Sequence, residues 1–353
     1  MNQYNVTRIY PSDRNAICSV KELLATEDLQ LDKNIDYIAG IYDDNHLIAT
    51  GSLYCNSLRC FAIDKNYQGE ALLNTLLTYL VNVQYERGNY YLFIYTKTSS
   101  AKYFKQLGFY EIATIPGMLA FLENKPNAFK SYINKLKKET ELQNTISKTD
   151  IQGAIVMNAN PFTLGHQYLI ETAASQCDVL HLFIVSEDSS IVPYTVRKQL
   201  IQAGTKHIHN LVLHDCDSYM ISNSTFPAYF QKDEQTVIRS QADLDITIFS
   251  KIADALHITK RFIGEEPFSS VTKIYNDIMI KTLKENNIDV IVIKRKEFNT
   301  VPISASAVRQ LIKENNIDGI RELVPASTYD FFKSETAHSI IKRIQEADNV
   351  IHY

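Results

Sequence analysis

Two stretches of the chain place hydrogen-bond donors or a cation where a strand gives way to a helix. The first reads Asn158-Ala159-Asn160-Pro161-Phe162-Thr163-Leu164-Gly165-His166 and links the apolar run GAIVMN to the helical pattern HQYLIETAASQ. Pro161 stiffens this turn, Gly165 permits close approach of backbone to a ligand, and His166 stands in the first turn of a helix, whose N-terminus favours anions. A histidine donor there can stabilise charge that develops on a bound group, although a purely helix-capping histidine is the structural alternative. The second stretch, Pro302-Ile303-Ser304-Ala305-Ser306-Ala307-Val308-Arg309, follows the strand-like DVIVIKR. Ser304 and Ser306 can cap the helix that begins here, and Arg309 offers a guanidinium from its first turn.

The elements around these stretches set where they lie. From Gly153 onward, apolar strands (GAIVMN, DVLHLFIVS, HNLVLHD, RFIG, DVIVIKR) alternate with amphipathic helices (HQYLIETAASQ, VRKQLIQAG, DLDITIFSKIADAL, VTKIYNDIMIKTLKEN). That order predicts a parallel sheet covered on both faces, with ligands at the carboxyl ends of the strands, where strand order reverses. Arg197 opens the second helix and reads equally as an anion contact or a surface residue. Lys198 lies about 100° further round that helix. Lys294, Arg295 and Lys296 follow a strand end, a placement that modestly favours anion binding over a solvated cluster. His207, His209 and His214, with Asp215 and Cys216, suggest a metal, the first two on one strand face. Their spacing matches no common metal motif, so no dedicated metal site is expected. The long connection Ser218–Gln241, with Phe226, Pro227, Tyr229, Phe230 and Lys232, reads as a binding loop or a packed insertion.

The first half differs. YIAGIYD, HLIATGSLY and LRCFAID alternate in strand fashion, ALLNTLLTYLVNVQYERG has a helical period, and YYLFIYT, KYFKQLGF and FYEIATI follow as strand, helix, strand. The expected fold class is therefore an α+β domain over residues 1–128, then a charged, spacer-like linker over 129–150, then an α/β Rossmann-like parallel-sheet domain over 151–353. Thirty-six basic against 40 acidic residues give a formal net charge of -4, which argues against nucleic acid as a partner. Five scattered cysteines without a C-x-x-C pair suggest reduced thiols. The N-terminus shows no signal-peptide pattern and no apolar run is long enough for a membrane, so a cytoplasmic location is expected.

The motifs carry resemblances. The first stretch resembles the T-x-G-H form of the H-x-G-H signature of adenylyl and cytidylyl nucleotidyltransferases, and Ile303 to Arg309 is similar to that superfamily's I-S-x-S-x-x-R motif. LRCFAIDKNYQGEALLNTLL and AKYFKQLGF resemble the acetyl-CoA-dependent N-acetyltransferases. There, however, Ala71 and Leu73 stand where the phosphate-cradling glycines belong, and Glu70 adds a negative charge. AIVMNANPFTLGHQYLIETAA, STFPAYFQKDE, FIGEEPF and VPISASAVRQLI, behind such an N-terminal half, resemble the citrate lyase ligase family over nearly the whole chain.

That resemblance implies an ATP-dependent acid–thiol ligase. Acetate would attack ATP to give acetyl adenylate and pyrophosphate. The acetyl group would then pass to the thiol of the CoA-like prosthetic group on the acyl carrier subunit of citrate lyase. It implies catalytic roles for Thr163 and His166 at the α- and β-phosphates and for Arg309 at the outgoing phosphates. ATP contacts would come from Asn158, Asn160, Phe162, Gly165, Arg197, Ser304 and Ser306, and Mg²⁺ would be held mostly by ATP and water. The N-terminal half would dock the carrier's CoA-like arm between splayed strands. The alternatives are an adenylyltransferase acting on a phosphate acceptor and a non-catalytic nucleotide-sensing module.

Overall fold

Strands β1 (Val6–Ile9), β2 (Tyr37–Asp43), β3 (His46–Tyr54), β4 (Ser57–Ile63), β5 (Phe93–Lys97), β6 (Tyr110–Ile115) and β7 (Leu119–Glu123) form one sheet in the order β1-β2-β3-β4-β5-β7-β6. All its pairings are antiparallel except β4 with β5. Helices α1 (Arg14–Thr26), α2 (Leu72–Glu86) and α3 (Ala101–Gln106) complete this α+β layer. On α2 the buried Leu72, Leu76, Leu77 and Leu80 recur at helical spacing and join Ile48, Leu53 and Ile94 of the sheet in one core. The strand and helix periods of the sequence thus appear where expected, with β1, α1 and β7 added.

The computed structural model describes residues 4–68, 71–143, 150–186, 190–220, 226, 227, 229, 234–266 and 270–350. The chain divides into one unit of Met1–Ser131 with Thr225–Leu244 and another of Tyr132–Ser224 with Asp245–Tyr353. A single cut at 129–150 does not describe this division, because Thr225–Leu244 groups with the first unit while Ser218–Ser224 stays in the second. Nor is the start of that stretch a solvated spacer. Helix α4 (Ala128–Gln143) buries Tyr132, Leu136 and Thr140 at intervals of four, and its Tyr132 hydroxyl donates to the Asp215 carbonyl at 3.0 Å.

Strands β4 and β5 pair only at Ser57 with Phe93 and Leu58 with Ile94, so they part beyond those residues. Tyr229 lies in the opening. It is 5% exposed, its hydroxyl donates to the Tyr95 carbonyl of β5, and it accepts a backbone hydrogen bond from Cys60 of β4. The Gln30 N–H donates to the Tyr229 carbonyl at 2.7 Å, and Phe226 meets the Tyr95 ring edge-on at 6.0 Å. The chain's own phenol therefore bridges backbone groups of the two strands beyond their paired residues. The space expected to receive a CoA-like arm is filled here by a side chain. Ala71 adopts a left-handed backbone (φ 58°), as a glycine would with less strain, while Gly69 and Glu70 lie outside the described residues.

In the second unit, β8 (Gln152–Met157), β9 (Val179–Ile184), β10 (Leu211–Asp215), β11 (Ile258–Gly264) and β12 (Asp289–Ile293) form a parallel sheet in the order β10-β9-β8-β11-β12. Helices α5 (Leu164–Ala174), α6 (Tyr194–Gly204), α7 (Glu234–Leu256, of which Asp245 onward belongs to this unit), α8 (Ser270–Glu285) and α9 (Ala305–Lys313) fall between and after the strands. α10 (Ala326–Lys333) and α11 (His338–Glu346) follow. Strand order runs outward from β8 to β10, then resumes on the other side with β11. The switch point therefore lies at the carboxyl ends of β8 and β11. The short β13 (Glu297–Phe298) and β14 (Val301–Pro302) form a hairpin that leads into α9.

Candidate nucleotide site

The turn after β8 is held from both sides. Arg197, fully buried, donates from Nη1 to the Asn158 carbonyl at 2.7 Å and the Val185 carbonyl at 2.9 Å, and from Nε to the Val192 carbonyl at 3.0 Å. Arg309, 2% exposed, donates to the Asn160 carbonyl, to the Val350 carbonyl at 2.7 Å and to Ser306 Oγ at 3.3 Å. Asn160 Oδ1 accepts from the Val192 N–H at 3.0 Å, and Asn158 pairs with Ser190. These bonds fix Ala159, between the two asparagines, at φ 52°, a conformation costing about 1–3 kcal/mol in isolation. Arg197 is not a surface residue: its guanidinium is buried and engaged with backbone carbonyls. The same holds for Arg309, whose donors tie α9 to the β8 turn.

Helix α5 then starts with a capping box. The Thr163 Oγ1 accepts from the His166 N–H at 3.3 Å, and the Thr163 N–H donates to His166 Nδ1 at 3.1 Å. An Nδ1 that accepts carries no proton, so the neutral ring bears its hydrogen on Nε2. Burial first, then the Arg295 and Arg309 guanidiniums, pushes the His166 pKa down to about 4. At neutral pH His166 is an uncharged donor with a fixed tautomer. Phe162 stacks beside it at 6.0 Å, yet Phe162 is fully buried in one core with Ile170, Leu200 and Ile201, so its ring serves packing.

Gly165 owes its size to protein. A Cβ there would sit 3.0 Å from the Ile303 carbonyl oxygen, so the backbone that approaches closely is the chain entering α9. Ser304 caps that helix, its Oγ accepting from the Ala307 N–H at 3.1 Å. Two helix N-termini, α5 with His166 and α9 with Ser304 and Ser306, thus adjoin at the carboxyl end of β8. Arg295, just past β12, donates from Nη2 to Glu266 at 2.6 Å and from Nε to the Glu265 carbonyl at 2.7 Å. Sequence reading flagged Arg295 within a cluster but missed Glu266. Its signal was an acidic pair directly after a strand end.

The histidine run separates. His207 and His209 precede β10 in a turn rather than sharing a strand face, and His207 pairs with Glu171 at 2.9 Å on the surface. His214 is buried on β10, hydrogen-bonded to His181 at 3.0 Å and to Glu139 at 2.8 Å. Lys198 pairs with Asp215 at 2.6 Å. Lys294 lies 3.9 Å from Glu297 with its side chain 78% exposed. Among the described residues no group of three or more His, Cys, Asp or Glu could hold a metal ion, and no helix is long and apolar enough to cross a membrane. Phe230 and Lys232 lie outside the described residues.

An antiparallel sheet opened at one parallel pairing, followed by a parallel sheet with two helix N-termini at its switch point, defines an α+β unit and an α/β unit whose switch point suits an anion. Residues 152–332 match the citrate lyase ligase C-terminal domain. The chain is 40% identical to [citrate [pro-3S]-lyase] ligase of Escherichia coli K12, covering 94% of this chain and 95% of that one. With the Klebsiella pneumoniae enzyme of the same name it shares 38%, covering 89% and 91%. The chain belongs to the citrate lyase ligase family of enzymes. Similar solved structures include a GNAT-family acetyltransferase from Staphylococcus aureus Mu50 (14% identity, 35% of this chain and 99% of that one, TM-score 0.29). Another is a pantoate-beta-alanine ligase from Francisella tularensis (16% identity, 57% and 79%, TM-score 0.34).

Proposed function

We propose that the protein is an ATP-dependent acid–thiol ligase that acetylates the prosthetic-group thiol on the acyl carrier subunit of citrate lyase. Its relatives' name supports citrate lyase as the protein acted on. The observation that carries the chemistry is the neutral His166, its tautomer fixed by Thr163, at the α5 N-terminus beside the α9 N-terminus.

In the first step an acetate oxygen attacks the α-phosphorus of ATP. The bond from that phosphorus to the bridging oxygen breaks, and pyrophosphate leaves with the electron pair. His166 Nε2–H donates to the α-phosphate as charge shifts toward the leaving group, and Ser304, Ser306 and the α9 N-terminus face the outgoing phosphates. Arg197 and Arg309 contribute positive field and hold Asn158 and Asn160 in place, rather than reaching the phosphates themselves. Mg²⁺ would ride on the phosphates, held mostly by ATP and water. In the second step the prosthetic-group thiolate attacks the acyl carbon and AMP leaves. This reading gives the first unit no acetyl-CoA chemistry, because Tyr229 fills the opening between β4 and β5. The five cysteines, all of them thiols, accord with a cytoplasmic location.

Isotope exchange between pyrophosphate and ATP tests the reading. Exchange that requires acetate supports the ligase. Exchange that requires a phosphate-bearing acceptor would make the protein an adenylyltransferase, and ATP binding without any exchange would make it a sensor.

A further inference from the structure

The buried arginines leave a gap in the site's electrostatics. Arg197 and Arg309 are engaged with backbone carbonyls, and Lys198 is held by Asp215. A triphosphate carries several negative charges, and the two helix N-termini supply only partial ones. Arg295 is differently placed. It follows the carboxyl end of β12, next to the strand β11 that flanks the switch point. Its side chain is 26% exposed, and its charge is felt at His166. The chain ties it to α5: the Ile303 N–H donates to the Lys296 carbonyl at 2.9 Å, and the Ile303 carbonyl abuts Gly165. Its carboxylate partner Glu266 is also close to the surface, 18% exposed, and follows the end of β11.

We propose that Arg295 is the cation that binds the β- and γ-phosphates, and that Glu266 is a placeholder anion that the phosphates displace. The proposal rests on the nucleotide reading above and names a further residue pair for the same site. A partly exposed carboxylate–guanidinium pair is worth little by itself, so exchanging one anion for another at Arg295 carries a small penalty. The guanidinium also retains the planar, two-donor geometry that phosphate oxygens accept. Glu266 then pairs the cation when no nucleotide is bound and competes with nucleotide for it.

Calorimetric titration of the full chain with ATP and with AMP tests this in Arg295→Gln, Arg295→Lys and Glu266→Gln. Arg295→Gln should weaken ATP about ten- to a hundredfold and leave AMP nearly unchanged, since AMP lacks the outer phosphates. Arg295→Lys, which keeps the charge, should recover part of the loss and controls for folding. Glu266→Gln should tighten ATP severalfold, an outcome that a merely structural pair would not give. Unchanged ATP affinity in Arg295→Gln, or equal weakening in Glu266→Gln, would overturn the proposal while leaving the ligase reading intact. A wild-type chain that binds no ATP would overturn both.

Discussion

The backbone N–H of Thr163 donates to Nδ1 of His166 at 3.1 Å, closing the cap of α5 and deciding which ring nitrogen carries the proton. One local contact therefore does two things: it starts the helix, and it aims an Nε2–H donor away from it.

His166→Ala should lower acetate-dependent pyrophosphate exchange by about two orders of magnitude or more, the usual cost of removing one donor aimed at developing charge. Thr163→Val keeps the backbone N–H and loses only the hydroxyl, so its effect should be smaller. Exchange rates, with thermal melts to show that both variants fold, check this. With His166 held near 4, its protonation should not limit the rate around pH 6.5.

Arg309→Ala should act on stability before it acts on nucleotide. It leaves the carbonyls of Asn160 and Val350 without their donor inside the protein, at a cost of roughly 3 kcal/mol or more. Arg309→Lys should restore little, because one ammonium cannot reproduce the spread of the guanidinium. Urea unfolding monitored by circular dichroism measures both. A fully stable Arg309→Ala with weakened ATP binding would restore the direct phosphate contact expected from sequence.

Removing the Tyr229 ring should cost about 3–5 kcal/mol, since it leaves a cavity and removes the phenol's hydrogen bonds to the Tyr95 carbonyl and the Cys60 N–H. Tyr229→Phe retains the ring and should lose only about 1–3 kcal/mol. Hydrogen exchange should report the loss at Cys60 and along β4 and β5 first.

Acid should destabilise the second unit through His181. Burial, then His214, lowers its pKa to about 3, so the unfolded chain takes up its proton near 6.5 while the folded chain does not. The unfolded state therefore binds more protons between about pH 6.5 and 3. Stability should rise with pH across that window and be lost as pH falls, by up to about 1.4 kcal/mol per unit from this residue. Urea midpoints at pH 7, 6 and 5 should decline accordingly, and His181→Gln should flatten the slope.

Local periodicity was enough to locate the strands and helices on both sides of the site. The order of β8 to β12 with their helices, the cap at Thr163 and His166, and the S-x-S start of α9 all depend on residues a few positions apart, where sequence is a faithful guide. The roles of the long polar side chains were not legible. Arg309 and Arg197 look like phosphate ligands because charge at a helix start usually faces a ligand. Only the folded chain shows them meeting Asn160 and Asn158, each more than thirty positions away. Gly165 likewise reads as room for nucleotide until Ile303 is seen against it. Tyr229 has no local signal at all: its place between β4 and β5 depends on where two strands part and on which distant segment returns to fill the gap. Backbone hydrogen-bond periodicity is written in neighbouring residues, whereas the partner of a buried side chain is chosen by packing, which no local pattern encodes.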